Sequence, residues 1–341
     1  LFAPLGAPSS YAGSPIVPLG SLPLPFYPEV QVTPPQFGLT AHLRRFRPDL
    51  VHLVGPAVYG AMAPHVAGSL GLPLLSSYHT NFDTYSAYYG FGFLKRSIAG
   101  YLRWVHNRCV ITLCPSRATL SDLRRQGFRR LRVWGRGVDT ERFHPAHRSE
   151  EWRASVGVRP GETMLLYVGR LAREKRVDLL VEALNGISNA RLVIVGDGPA
   201  HAELERELRG LPVHFTGYLR GDTLSTAYAS ADLFVFPSDT DTFGQVIQEA
   251  MASGLPVIGA YAGGARDLVR DGVTGLHFRP GSSDDLRAQI RRLHADRTAR
   301  VAMGLAGRSV AERHSWPAVL GELEGFYERV RDLTQRRKSK R

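Results

Sequence analysis

Strand-like apolar runs and helix-like stretches alternate along this chain, pause once, and then alternate again. Strands joined through helices lie parallel in one sheet, so this order predicts an α/β fold. The pause predicts two such units, and 341 residues are too many for one ordinary core.

In the first unit, PDLVHLVG (48–55), PLLSSYHT (73–80) and CVITLCPS (109–116) read as strands. Helix-like stretches cover 59–70 and 94–108. A further helix spans SRATLSDLRRQGF, with Ser116 placed as its N-cap and Gly127 as its stop. RRLRVWGRGVDTERFHP follows as a strand and an irregular loop. Composition shifts over 144–162, which reads as a linker holding a short helix. Strand signals then return in TMLLYVGR, ARLVIVGDGP, VHFTGYL, DLFVFPS and LPVIGA. The helices between them include VDLLVEALNGI, AHAELERELRG and GDTLSTAYASA, the last with Asp222 or Thr223 near its cap.

The expected organisation is a Rossmann-like domain over 1–143, a second over 144–315, a helix over 316–333 and a basic tail over 334–341. In the late helix Leu320, Leu323, Phe326, Tyr327 and Val330 share one face. The opening segment is rich in Pro and Gly, begins at Leu1 and holds no full βαβ unit. The first βαβ portion of domain one is therefore expected to be missing.

No run of roughly eighteen apolar residues occurs, and the start does not read as a secretory leader. The net charge of +12 favours anionic partners such as nucleotides, phosphates or acidic lipid. No zinc-finger, RNP or helix-turn-helix pattern supports nucleic acid. The final QRRKSKR reads as a disordered terminus, either simply solvated or touching membrane phospholipid. Cys109 and Cys114 sit in a strand without metal-type spacing and read as buried thiols in a reducing compartment.

Ligands of open parallel sheets sit beyond the carboxyl ends of the strands. That rule singles out His79, Gly169–Arg170, 196–199, Gly217 and 238–244. Arg170 and Lys175 can fold toward one diphosphate beside a helix N-terminus, although two solvated cations fit the spacing as well. The VGDGP turn, with Gly198, must bring backbone close to a ligand or to a neighbouring loop. Phe215 and Gly217 fit a nucleobase wall or an ordinary core strand. His79 suits a sugar hydroxyl, proton traffic or a satisfied structural role. The stretch around Lys95, Arg96, Arg103 and Arg108 suits an interfacial helix or a packed one.

DTDTFGQVIQEAMASGLPV (239–257) carries two acids. Its helix is predicted to begin near 242–244 and to stop at Gly254 and Pro256. Eight helical positions span roughly 12 Å, whereas the carboxylates of a retaining glycosidase stand about 5–5.5 Å apart. Asp241 and Glu249 therefore do not share one reacting carbon, and no third metal ligand lies nearby. They suit the two ends of a long ligand, with N–H groups of Phe243–Gln245 between them. Asp241 as a plain helix cap remains the alternative. For Glu249 a surface charge is harder to sustain, because Ile247, Ala250, Met251 and Ala252 surround it and a buried acid needs a partner.

Taken together, DTFGQVIQEAMASGLPV, YVGRLAREKRVDLL, IVGDGP, FTGYL, AYASADLFVFPS and GRGVDTERFHP resemble family 4 retaining glycosyltransferases of the GT-B fold. The resemblance covers residues 3–333, with Asp241 standing where the family's E-x7-E motif has its first Glu. PFYPEV, SSYHTNF, LRVWGRGVD and RGDTLSTAYAS point to the sulfoquinovosyldiacylglycerol synthases and GDP-mannose-dependent α-mannosyltransferases. The resemblance implies two Rossmann-like domains facing an interdomain cleft, with the last helix crossing back onto the first domain. It implies transfer of a mannosyl, glucosyl or sulfoquinovosyl group from GDP-mannose or a UDP-sugar to a lipid or glycan acceptor, with retention and without metal or cofactor. Arg170 and Lys175 would neutralise the diphosphate and Glu249 would hold the ribose. Asp241, Thr242, Phe243, Gly244 and Gln245 would meet the donor sugar, Gly198 and Gly217 would line the donor site, and His79 would face sugar and acceptor. The implied location is cytoplasmic, peripheral at the inner membrane face. The competing readings are a non-catalytic nucleotide-binding fragment and a GT-B epimerase.

Overall fold

A computed structural model of the chain describes residues 1–24, 27–32, 38–55, 62–79 and 95–338. The start of the helix expected from residue 59, the 80–94 part of SSYHTNFDTY and the aromatic run after it, Pro25 and Phe26 of PFYPEV, and 339–341 lie outside the described residues.

The first half is built on a four-stranded parallel sheet. Its strands are β1 (Val51–Leu53), β2 (Leu74–Ser77), β3 (Ile111–Cys114) and β4 (Leu131–Val133), lying in the order β4-β3-β2-β1. The helices with them are α1 (Leu39–Phe46), α2 (Met62–Ser69), α3 (Lys95–His106) and α4 (Arg117–Arg125). The segments before α1 form small separate pairs: Phe2–Pro4 with Val17–Leu19, Ser10–Tyr11 with Ser14–Pro15, and Leu22–Leu24 with Tyr27–Val32. Helix α3 turns Leu102 and Val105 into the core, with Cys109 just beyond it, so its apolar spacing serves ordinary packing. Helix α4 is capped by Ser116, whose Oγ accepts from Thr119 N–H, and Gly127 just past its end has φ +85°. Cys109 and Cys114 are buried free thiols, and burial pushes them up to about 11 and about 12 respectively.

The second half opens with α5 (Glu150–Ser155) and holds a six-stranded sheet. In chain order the elements are β5 (Thr163–Val168), α6 (Leu179–Ala183), β6 (Ala190–Val195), α7 (His201–Glu207), β7 (Val213–Gly217), α8 (Gly221–Ser230), β8 (Leu233–Phe236), α9 (Gln245–Ala252), β9 (Val257–Ala260), α10 (Gly263–Leu268) and β10 (Gly275–Phe278). Helices α11 (Ser283–Ala295) and α12 (Arg297–Glu312) follow. The strands lie in the order β7-β6-β5-β8-β9-β10, all parallel. A parallel sheet is covered on both faces, which is why β5 reads as an unbroken apolar run. Leu165 and Tyr167 pack on one side with Leu180, Leu204 and Ile290, while Met164 and Leu166 pack on the other with Tyr228, Ile247 and Met251. The order reverses between β5 and β8, and the carboxyl ends of those two strands bound the crevice where such sheets bind ligands.

Asp222 lies near the α8 cap as expected: the cap residue is Arg220, and Asp222 sits in the first turn, where its charge suits the helix dipole. Two local expectations need correction. The last helix, α13 (Trp316–Lys338), runs through most of the stretch expected to be a disordered tail. Leu320 is 47% exposed, and Val319 is buried in its place, while Val330 is buried as expected. Val330, Leu323, Phe326 and Tyr327 of α13 pack on Leu75, Ile111 and Leu113, so the final helix lies against the first sheet. Trp134 adds a hydrogen bond from Nε1 to the Val319 carbonyl, 2.9 Å. Val330→Ala is therefore expected to cost about 1–3 kcal/mol in urea unfolding, whereas Leu320→Ala stays within about 0.5 kcal/mol of the parent.

Candidate active site

The loop after β5 supplies the cations. Gly169 and Arg170 leave the strand, and a single 3-10 turn, Arg173–Lys175, precedes α6. The Arg170 guanidinium pairs with Glu174 Oε1 at 2.5 Å, and the Glu174 side chain is fully buried. Lys175 Nζ reaches Asp241 Oδ1 at 2.6 Å, with 17% and 19% of the two side chains exposed. Both cations are held in place by acids and neither is a freely solvated surface charge. The sequence reading overlooked Glu174, whose place between Arg173 and Lys175 looks like ordinary surface charge alternation.

The loop after β8 faces them. Ser238 Oγ and Thr240 Oγ1 donate to the Glu174 carbonyl at 3.4 and 3.2 Å, tying the two loops together. Helix α9 starts at Gln245, with Gly244 at φ +89° as its cap residue and no side-chain cap. Asp241 is therefore the partner of Lys175 and not a helix cap. Asp241 Oδ2 and Gln245 Oε1 are buried acceptors with no hydrogen-bond partner among the described residues. Such acceptors suit hydroxyl donors of a ligand. Glu249, inside α9, accepts from the Tyr228 hydroxyl at 2.9 Å, which supplies the partner that its apolar neighbours demand. Burial pushes the Glu249 carboxyl up, against the Tyr228 hydrogen bond that holds it down.

The same loop reaches the first half of the molecule. Thr242 Oγ1 donates to the His79 carbonyl at 3.0 Å, and the Thr242 carbonyl accepts from Ser116 Oγ at 2.8 Å and Thr119 Oγ1 at 3.1 Å. Gln245 Nε2 donates to the Gly137 carbonyl at 2.9 Å, and Asp267 Oδ2 accepts from Ala118 N–H at 2.7 Å. Phe243 is buried, with its ring beside Gly135. The side chains of Thr242 and Phe243 thus hold the two sheets together.

Gly198 belongs to loop packing. A Cβ there would stand 2.4 Å from the Leu171 carbonyl oxygen, and Leu171 N–H donates to the Asp197 carbonyl. The VGDGP turn thus comes close to the neighbouring loop. Gly217 has φ +70°, and its carbonyl accepts from Gly196 N–H at 2.8 Å. The Phe215 ring stacks on the His201 imidazole with centroids 5.1 Å apart, and Asp197 Oδ1 lies 2.7 Å from His201 Nδ1. Phe215 lies on the edge strand β7 and packs against the core, as an ordinary core strand does.

His79, just past β2, sits across from these loops through its bond to Thr242. Its Nδ1 lies 3.3 Å from Arg136 Nη2. A guanidinium only donates, so Nδ1 accepts and the proton of the neutral ring resides on Nε2. Burial, and then the charge of Arg136, lower the His79 pKa to about 4. The sequence reading assigned Arg136 no role; its one visible signal is its place in GRGVD, between two glycines. Among the described residues no three of His, Cys, Asp and Glu gather as a cation site, and no helix is long and apolar enough to cross a membrane.

Residues 1–142 match the family model described as Glycosyltransferase Family 4, and residues 148–310 match Glycosyl transferases group 1. The chain is 38% identical to the sulfoquinovosyl transferase SQD2 of Arabidopsis thaliana, over 92% of this chain and 63% of that protein. It is 41% identical to a GDP-mannose-dependent alpha-mannosyltransferase of Mycobacterium tuberculosis, over 91% of this chain and 81% of that one. Among solved structures, Anabaena HepE in complex with UDP and glucose superposes with a TM-score of 0.75 at 21% identity, covering 92% of this chain and 86% of its own. Sucrose-phosphate synthase of Thermosynechococcus elongatus gives 0.77 at 22% identity, covering 96% and 88%. These structures share the GT-B fold with the chain.

Because the folded pKa of His79 is lowered from 6.5 to about 4, its stabilising contribution is complete above pH 6.5 and is lost as the pH falls from there toward 4. The His79 imidazole is accordingly expected to show no protonation shift in an NMR titration from pH 8 to about 5.5, whereas the unfolded chain titrates near its ordinary value.

Proposed function

The chain belongs to the group 1, family 4 glycosyltransferases, and from that premise we propose that it transfers a hexosyl group from a nucleoside-diphosphate sugar to a lipid or glycan acceptor. The observation that carries the reading is the placing of two acid-held cations, Arg170 on Glu174 and Lys175 on Asp241, in the loop at the crevice where strand order reverses. Two cations there match the two phosphates of a donor. Unpartnered acceptors on Asp241 and Gln245 match sugar hydroxyls.

In this reading the diphosphate enters between Arg170 and Lys175 and exchanges with the carboxylates that now hold them. Glu249 takes the ribose hydroxyls, and the base lies toward Gly217 and Phe215. Asp241 and the backbone of 243–245 take the sugar, with Gly198 bracing the loop behind them. His79 presents Nε2–H to the sugar and acceptor from the opposite wall. As the sugar–phosphate bond breaks, negative charge grows on the leaving oxygen, and the two fixed cations stabilise it there. The acceptor oxygen bonds to the anomeric carbon on the face the diphosphate leaves, and its proton passes to the departing phosphate oxygen. The configuration is retained. The charge that a divalent cation would neutralise is met by side chains, so no metal or cofactor is required. One relative is by its name a sulfoquinovosyl transferase and the other a GDP-mannose-dependent mannosyltransferase, which supports a mannosyl or sulfoquinovosyl group as the one transferred, from GDP-mannose or another nucleotide sugar. The net charge of +12 supports a peripheral place at an anionic membrane surface, on its cytoplasmic side.

A panel of nucleotide sugars incubated with membrane-lipid extract, read by mass spectrometry, tests the reading: one donor should yield a product heavier by one hexosyl unit. Hydrolysis without transfer, or no reaction with any donor, contradicts it. Arg170→Ala is expected to weaken donor binding about tenfold or more in calorimetry. An unchanged affinity removes the diphosphate from this loop.

A further inference from the structure

We propose that Arg136 is a specificity residue that binds an anionic oxo group of the substrate, a sulfonate, phosphate or carboxylate, at the N-terminal wall of the cleft. The inference rests on the glycosyltransferase reading and adds to it the charge of the group that His79 faces.

Arg136 stands on a fixed base. Trp134 N–H donates to the Cys114 carbonyl at 2.8 Å, Gly135 faces the Phe243 ring, and the Gly137 carbonyl accepts from Gln245 Nε2. A Cβ on Gly137 would stand 2.6 Å from the Trp316 backbone, so this segment is pressed against the start of α13. The guanidinium extends from that base to the ring of His79.

Several other partly buried cations have a carboxylate partner, and Arg300, which has none among the described residues, donates instead to the Leu293 and His294 carbonyls. Arg153 pairs with Asp232, Arg170 with Glu174, Lys175 with Asp241 and Arg308 with Glu312. Among the described residues no carboxylate lies within ion-pair distance of Arg136, and its hydrogen-bond partner is the uncharged Nδ1 of His79. Burial lowers its pKa, which records the cost of holding the charge there. A half-buried cation without a counter-charge is unfavourable unless a ligand supplies one. A guanidinium carries five N–H donors in a planar fork suited to carboxylate, sulfonate and phosphate. One of them goes to His79 Nδ1, which leaves the rest of the fork for a ligand.

The anionic group has two possible sources, an acidic substituent on the donor sugar or an acidic group on the acceptor. The test therefore has two arms. In the first, wild type, Arg136→Gln and Arg136→Lys are given UDP-glucose and UDP-sulfoquinovose with diacylglycerol. In the second, they are given one neutral-sugar donor with diacylglycerol and with phosphatidylglycerol. The quantity read is the ratio of kcat/KM for the acidic over the neutral member. In one arm wild type should prefer the acidic member, Arg136→Gln should lower that ratio about tenfold to a hundredfold, and Arg136→Lys should recover part of it. Calorimetric binding of 6-sulfoglucose and of glycerol phosphate, with nucleoside diphosphate present, gives a readout independent of turnover. One of these ligands should bind about tenfold or more weakly to Arg136→Gln than to wild type, with glucose and glycerol as neutral controls. The proposal is overturned if wild type shows no acidic preference in either arm, or if Arg136→Gln loses rate equally on acidic and neutral members. The second result would mean that Arg136 only orients His79. Absence of turnover with every donor counts against the glycosyltransferase reading, and the binding ratios then decide the Arg136 assignment separately.

Discussion

The ion pair between Lys175 and Asp241 joins the two loops that leave the neighbouring strands β5 and β8. Exposed ion pairs contribute little, because water screens them and side-chain entropy opposes them. This pair is more than four-fifths buried, so removing either partner strands the other in a poorly solvated place. In the second pair Glu174 is fully buried, while a third of the Arg170 side chain is exposed, so losing Arg170 would strand the acid. The crevice is thus organised around charges that are already neutralised. In the proposed function, a diphosphate entering here would meet two cations already held in place and would not have to order two loose side chains.

The second constraint is the seam between the halves. Thr242 binds the His79 carbonyl with its hydroxyl and α4 with its own carbonyl, so the loop carrying Asp241 is stitched to the strand end carrying His79. The loop cannot shift without disturbing the opposite wall. Helix α13 completes the arrangement from behind, where Tyr327 meets His52, and His52 in turn meets Ser77 at 2.8 and 2.7 Å. Through that chain the last helix supports the strand that ends just before His79.

Much of this architecture is legible in the sequence because local rules govern it. The alternation of strands and helices, the Ser116 cap and the stops at Gly127 and Gly254 each follow from nearby residues. Local geometry likewise separates Asp241 from Glu249, and in the structure they have different partners, Lys175 and Tyr228. What escaped the reading depends on distant contacts. Glu174 resembles a surface acid until the fold buries it, and Arg136 gains its setting only when His79 arrives from another strand. Leu320 fits the helical stripe, yet the crossing of α13 favours Val319 by one position. Thr242 and Phe243 sit in the motif that resembles a donor site, but their side chains are spent on the seam, a use that no spacing rule reveals.

The central claim is that the crevice between β5 and β8 holds the donor diphosphate. The most direct measurement is a crystal structure with the nucleoside diphosphate bound. The account predicts phosphate oxygens within hydrogen-bond distance of both Arg170 and Lys175, and the ribose against Glu249. A diphosphate bound elsewhere, with the Arg170–Glu174 and Lys175–Asp241 pairs undisturbed, would contradict it.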